Sequence, residues 1–240
     1  MSRARVGALG ALVVVVAMFL AVVLRPPSSE VSPRPPAERP VLLLLTSLPI
    51  VFGENFSLES GGSAALTALQ TRYRVVPIST AAPVELAKGR LLLMAHAAAQ
   101  TPENLVALDQ WVRRGGKLLL LADPMLEWPS PRPLGDPLRP SPMFPDSGLL
   151  QHWGLRLDAP DPAGPRVRSV EGMEITTDSP GALVGACAIE SEGLVADCRI
   201  GKGRAIVVAD ADFLDAERLG EPARHNLDAL LKLLADVERH

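Results

Sequence analysis

Three runs of consecutive apolar residues, 41–45, 91–95 and 118–121, show no alternation with polar positions, the pattern of strands covered on both faces. Between the second and third, Leu105, Leu108, Trp111 and Val112 recur at helical spacing. Thr101 is placed to cap that helix, and Pro102 takes its first position, where a missing N–H costs nothing. Glu103 suits the positive helix end, Arg113 and Arg114 the negative one, and Gly115 a left-handed stop. Strand, amphipathic helix and strand make a βαβ unit, which predicts a parallel sheet with a right-handed crossover. Residues 74–78 and 204–209 add strands, and residues 64–70 a helix. A closing helix over 222–237 carries the stripe Leu227, Leu230, Leu231 and Leu234. Residues 147–153 form a short helix stopped by Gly154, and 167–200 short antiparallel strands. The expected fold is α/β, an open parallel sheet of about five strands with a small antiparallel β insertion.

Outside this pattern, residues 6–24 are 19 positions without a charge, closed by Arg25. That length can span a bilayer as a transmembrane helix. A cleaved signal peptide is the alternative, but the stretch ends in Val22, Val23, Leu24 rather than small residues. The organisation predicted is a transmembrane anchor over 1–25, an extended Pro-rich linker over 26–40 and an α/β domain over 41–240. Arginines flank the stretch on both sides, so charge leaves its orientation open. The formal net charge is −3; residues 1–40 hold five Arg and two Glu, leaving 19 basic against 25 acidic residues, net −6. A mildly acidic domain without a basic run argues against nucleic-acid binding.

The ordered set 42–47, 73–78, 91–94, 107–116, 118–124, 148–155 and 207–213 resembles the auxiliary, gliding-motility-type proteins of uncharacterised ABC transport systems. The resemblance implies a domain like class I glutamine amidotransferases, in a non-catalytic, extracytoplasmic component tethered to the inner membrane. It implies ABC permease and ATPase subunits as partners, alongside the membrane itself.

In such folds a nucleophile sits on the sharp turn after a central strand. Here that turn is His96 and three alanines, with no Cys or Ser, and the chain contains no Gly-x-Ser-x-Gly elbow. No catalytic residue, cofactor or metal is therefore assigned. A degenerate hydrolase-fold scaffold or sensor is the alternative, and an active hydrolase a weaker one. Ligands of open α/β sheets bind outside the carboxyl ends of the strands, here Ser47, His96, Asp123, Asp210 and Asp212. The three aspartates are candidates to share a cation or, more simply, to cap the following turns. Ser60, Gly61, Gly62 and Ser63 offer an anion cradle or a plain capped turn. Residues 123–146 carry eight prolines, an excursion long enough to suggest a function. Trp128, Met143 and Phe144 are its expected partner-binding anchors, or else the underside of a lid. Cys187 and Cys198 fall opposite each other if residues 192–193 are the centre of a hairpin, which predicts a disulfide and an oxidising compartment, a periplasmic one.

Overall fold

The computed structural model describes residues 31–51 and 62–239. The apolar stretch 6–24, Ser60 and Gly61 lie outside the described residues. Among the described residues no helix is long and apolar enough to cross a membrane. Residues from Ser32 onward form one compact unit.

The strands are β1 (Val41–Thr46), β2 (Arg74–Pro77), β3 (Leu91–Ala95), β4 (Lys117–Leu121), β5 (Leu155–Asp158), β6 (Pro165–Val170), β7 (Met173–Asp178), β8 (Ala182–Gly185), β9 (Ala188–Glu190), β10 (Val195–Ile200) and β11 (Gly203–Val208). The helices are α1 (Ala64–Gln70), α2 (Pro83–Leu86), α3 (Pro102–Arg113), α4 (Leu149–His152), α5 (Ala216–Leu219) and α6 (Asn226–Arg239). The main sheet has seven strands in the order β2-β1-β3-β4-β11-β10-β9. The first five are parallel, and β10 and β9 extend the edge antiparallel. The expectation of about five strands therefore holds for the parallel part alone: the antiparallel segment joins the sheet instead of forming only a separate insertion. The pairs β5–β8 and β6–β7 make two small sheets of their own.

The unbroken apolar runs are buried as their pattern demands: Leu42, Leu43, Leu92, Leu93 and Leu118–Leu121 have no exposed surface. Each contributes roughly 1.5–3 kcal/mol by leaving water. Helix α3 starts where expected, with Thr101 Oγ1 accepting the Asn104 N–H at 3.3 Å, and it buries Leu108 and Val112. Asn226 opens α6 fully buried. Its Oδ1 accepts the Thr176 N–H at 2.9 Å, and its Nδ2 donates to the carbonyls of Thr176 (2.7 Å) and Phe213 (2.9 Å). One amide thus joins β7, the turn after β11 and the last helix.

Residues 182–190 form two strands, β8 and β9, rather than one continuous hairpin arm. The first pairs with β5, and the second pairs with β10. The cause is Gly185, at φ 155, which lies so close against the Gly154 carbonyl that a side chain would collide there. From β9 onward Glu190 faces Val195 and Ala188 faces Asp197. One step further Cys187 and Cys198 are disulfide-bonded, with Cα atoms 4.8 Å apart.

Candidate functional site

Strand order reverses between β1 and β3, because β2 lies on one side of β1 and β3, β4 and β11 follow on the other. The crevice favoured for ligands is therefore the one above Ser47 and His96. His96 occupies it. Its backbone stands at φ 43, in the left-handed region that His tolerates better than most residues, so the chain turns sharply after β3. Ser47 Oγ donates to the His96 carbonyl at 2.5 Å. The imidazole has no exposed surface; Nε2 bonds the Ser141 carbonyl at 2.8 Å, and Nδ1 has no partner among the described residues. As that carbonyl can only accept, Nε2 carries a proton, and the buried Nδ1, with no acceptor beside it among the described residues, favours the neutral ring. Burial holds its pKa below the ordinary histidine value, and the Ser141 hydrogen bond only partly opposes this.

Ser141 belongs to the proline-rich excursion, which folds over the crevice. Phe144 meets the His96 ring edge-on at 6.4 Å between centroids, and its N–H donates to the Asp123 carbonyl at 2.6 Å. The Leu126 N–H donates to the Pro142 carbonyl at 2.9 Å, closing the excursion on itself. Trp128 and Phe144 are half-buried. The apolar groups it turns outward are Met125, Leu134, Leu138 and Met143, with Leu134 78% exposed.

Beside the crevice lie Asp123, Asp210 and Asp212, all without exposed surface. Every carboxylate oxygen is spoken for. Asp123 accepts the N–H groups of Met125 and Ala211, each at 2.8 Å. Asp210 accepts those of Phe213 (2.8 Å) and Asp178 (3.1 Å). Asp212 accepts the Glu127 N–H at 2.7 Å and the Arg218 guanidinium at 3.0 Å. The capping role thus accounts for all three, and among the described residues no cluster is placed to hold a metal ion. The cluster ties the start of the excursion to β7 and to the turn after β11. Burial pushes Asp123 up to about 6 despite its two N–H donors, and Asp212 up to about 7. Asp210 is raised well above the carboxylate range by burial and then by Asp123.

Of the helix-start residues, Ser63 caps α1, its Oγ accepting the Leu66 N–H at 3.2 Å. Gly62 packs against Leu66, where a Cβ would collide with it. The sequence did not mark Ser141, Arg218 or Asp178 as members of this rim. Arg218, which also pairs with Asp178 and Asp215, is the only signal: an arginine beside an acidic cluster. A groove of about 400 Å³ lies elsewhere, between α3 and the start of α4. Its Asp109 is already engaged by Arg113 and the Trp153 indole.

Comparison with solved structures finds the same fold at low identity. A cytoplasmic protein of Salmonella typhimurium LT2, STM1381, is 11% identical over 82% of this chain and 98% of its own, with a TM-score of 0.51. A second Salmonella typhimurium cytoplasmic protein, STM3548, shares 11% over the same coverage, at 0.50. The exo-beta-1,4-mannosidase Op5Man5 from Opitutaceae bacterium strain TAV5 is 14% identical, at 0.49; this chain covers 36% of its length. No curated protein matches the chain. The family described as an ABC-type uncharacterized transport system matches residues 39–161, just over half of the chain. With the strand order and its rim in place, the chain belongs to that family of ABC-type transport systems.

Proposed function

We propose that the protein is a non-catalytic accessory component of an ABC-type transport system. In this account residues 6–24 anchor it in the membrane, and the α/β domain stands outside the cytoplasm. The Cys187–Cys198 disulfide favours an oxidising compartment. The domain is amidotransferase-like, and its rim binds the permease, which in turn carries the ATPase.

One observation carries the non-catalytic part. The turn after β3, where a nucleophile would stand, holds a neutral buried histidine whose proton is committed to the Ser141 carbonyl under a closed excursion. A general base needs an open lone pair within reach of a substrate. The His96 Nδ1 has the lone pair and no access. The excursion is the binding element: its prolines lower the entropy lost on docking, and its outward Leu134, Leu138 and Met143 provide apolar contact.

Affinity isolation of the full chain from detergent-solubilised membranes, followed by mass spectrometry, tests this. The account expects one permease and one ATPase at amounts comparable to the bait. Isolation of the chain alone contradicts it. Turnover of an ester or amide that is lost in a folded His96→Ala variant would restore the hydrolase alternative.

A further inference from the structure

All five parallel strands begin at one edge of the sheet, and that edge is basic. The registers align it: Arg74 faces Val41, Leu91 faces Lys117, Lys117 faces Arg204, and Arg204 faces Arg199. Arg90 directly precedes β3, and Lys202 directly precedes β11. The opposite edge carries the buried aspartates of the rim, so the exposed cations gather at one end of the domain although its net charge is negative.

Apart from Arg204, these cations are not structural counter-ions. Arg204, which is buried, is neutralised by Asp197 at 2.7 Å and Asp236 at 2.5 Å. Arg74, Arg90, Lys117, Arg199 and Lys202 have no carboxylate within ion-pair distance among the described residues. All but the half-buried Lys117 are exposed. They also crowd one another: Lys117 is held below its ordinary value by burial and then by Arg204, Arg199 and Arg90. An unneutralised row of this kind asks for an extended anionic partner.

The path of the chain says which partner. It enters the domain at this same edge: the Arg34 N–H donates to the Thr71 carbonyl at 3.0 Å, and Arg72 donates to the Ser32 carbonyl. Only residues 25–31 separate Ser32 from the apolar stretch. Seven extended residues reach at most ~25 Å. We propose that the basic strand-start edge seats on the headgroups of an anionic phospholipid surface. The acidic rim and its excursion then stand clear of the headgroups, where the part of the permease that projects from the membrane can reach them. The proposal rests on the membrane-anchor reading above.

The chain supplies its own reporters. It has four lysines: Lys88, Lys117 and Lys202 at the basic edge, and Lys232 on the flank of α6. The full chain is reconstituted in vesicles of phosphatidylcholine alone, or with about 30 mol % phosphatidylglycerol. Lysine acetylation is then read by mass spectrometry. The expected result is at least about threefold slower labelling of Lys117 and Lys202 on the anionic vesicles, with Lys232 unchanged. Raising salt to about 1 M, which shortens the screening length to ~3 Å, should restore labelling. The combined Arg74→Gln, Arg90→Gln and Arg199→Gln variant should lose the protection while keeping its unfolding midpoint. Equal labelling of the basic-edge lysines on both vesicles overturns the docking alone, provided the chain floats with them. Protection by a soluble nucleic acid or acidic polypeptide but not by the vesicles also overturns it. A chain that floats with neither vesicle overturns the anchor and the docking together.

Discussion

Replacing His96 by Asn isolates what holds the proline-rich excursion over the crevice. Asn accepts the left-handed backbone that His96 holds at φ 43, so the turn after β3 survives. Its shorter side chain reaches neither the Ser141 carbonyl nor the Phe144 ring. The lost hydrogen bond is worth about 1 kcal/mol and the edge-on ring contact about 0.5–1.5 kcal/mol. Removing the unpartnered Nδ1 offsets part of this, so ~2 kcal/mol is a ceiling. The reporters are the amides of Phe144 and Leu126, whose hydrogen bonds exist only while the excursion is closed. At tenfold per 1.4 kcal/mol, local opening should speed their exchange by about 10- to 30-fold. Core amides such as that of Leu119 should change far less. Hydrogen–deuterium exchange with peptide-level mass spectrometry reads both. Wild-type exchange at Phe144 and Leu126 would show that His96 does not hold the excursion. Equal acceleration everywhere would show that it stabilises the whole domain instead.

Other consequences follow from the same contacts. Asn226→Ala leaves one buried N–H and two carbonyls without their partner, and urea unfolding should show a loss of at least ~3 kcal/mol. Asp212, raised to about 7, contributes stability that is complete below its unfolded value of 3.8 and is lost as pH rises through about 7. The stability of the wild type relative to Asp212→Asn should therefore fall between pH 4 and 7.5, by up to about 4 kcal/mol. A flat difference would place the Asp212 pKa at its ordinary value. Cys187 and Cys198 should resist alkylation until reduced, and the double Ser variant should lose about 3 kcal/mol, the chain-entropy value for a loop of this length.

The parallel sheet was legible because its strands are uniform apolar runs, and α3 because Thr101, Pro102 and Gly115 punctuate it at both ends. The hairpin register was equally local, since pairing across residues 192–193 fixes Cys187 opposite Cys198. The break at Gly185 was not legible, because it depends on the backbone of Gly154, 31 positions away. The same holds for the rim. Strand-end aspartates can be picked out by position, but nothing local says that their oxygens are filled by N–H groups of Glu127, Asp178 and Ala211. His96 stood out as the residue in place of a nucleophile, while its burial comes from Ser141 and Phe144, some 45 residues on. The excursion itself was visible from its prolines. Which side of it faces water was legible only in part: of the expected anchors Met143 is exposed, while Trp128 and Phe144 are half-buried and Leu134 and Leu138 take their place outside.

In the proposed function this rim recruits a transporter through the excursion. The direct measurement compares the full chain with a Leu134→Ser, Leu138→Ser, Met143→Ser variant, isolated side by side from solubilised membranes with the permease and ATPase quantified. All three side chains are at least 62% exposed, so the unfolding midpoint should hold within the small range typical of surface substitutions. The account predicts that both subunits accompany the wild type and that both are lost from the variant. Undiminished recovery of permease and ATPase with a variant of unchanged midpoint would contradict it.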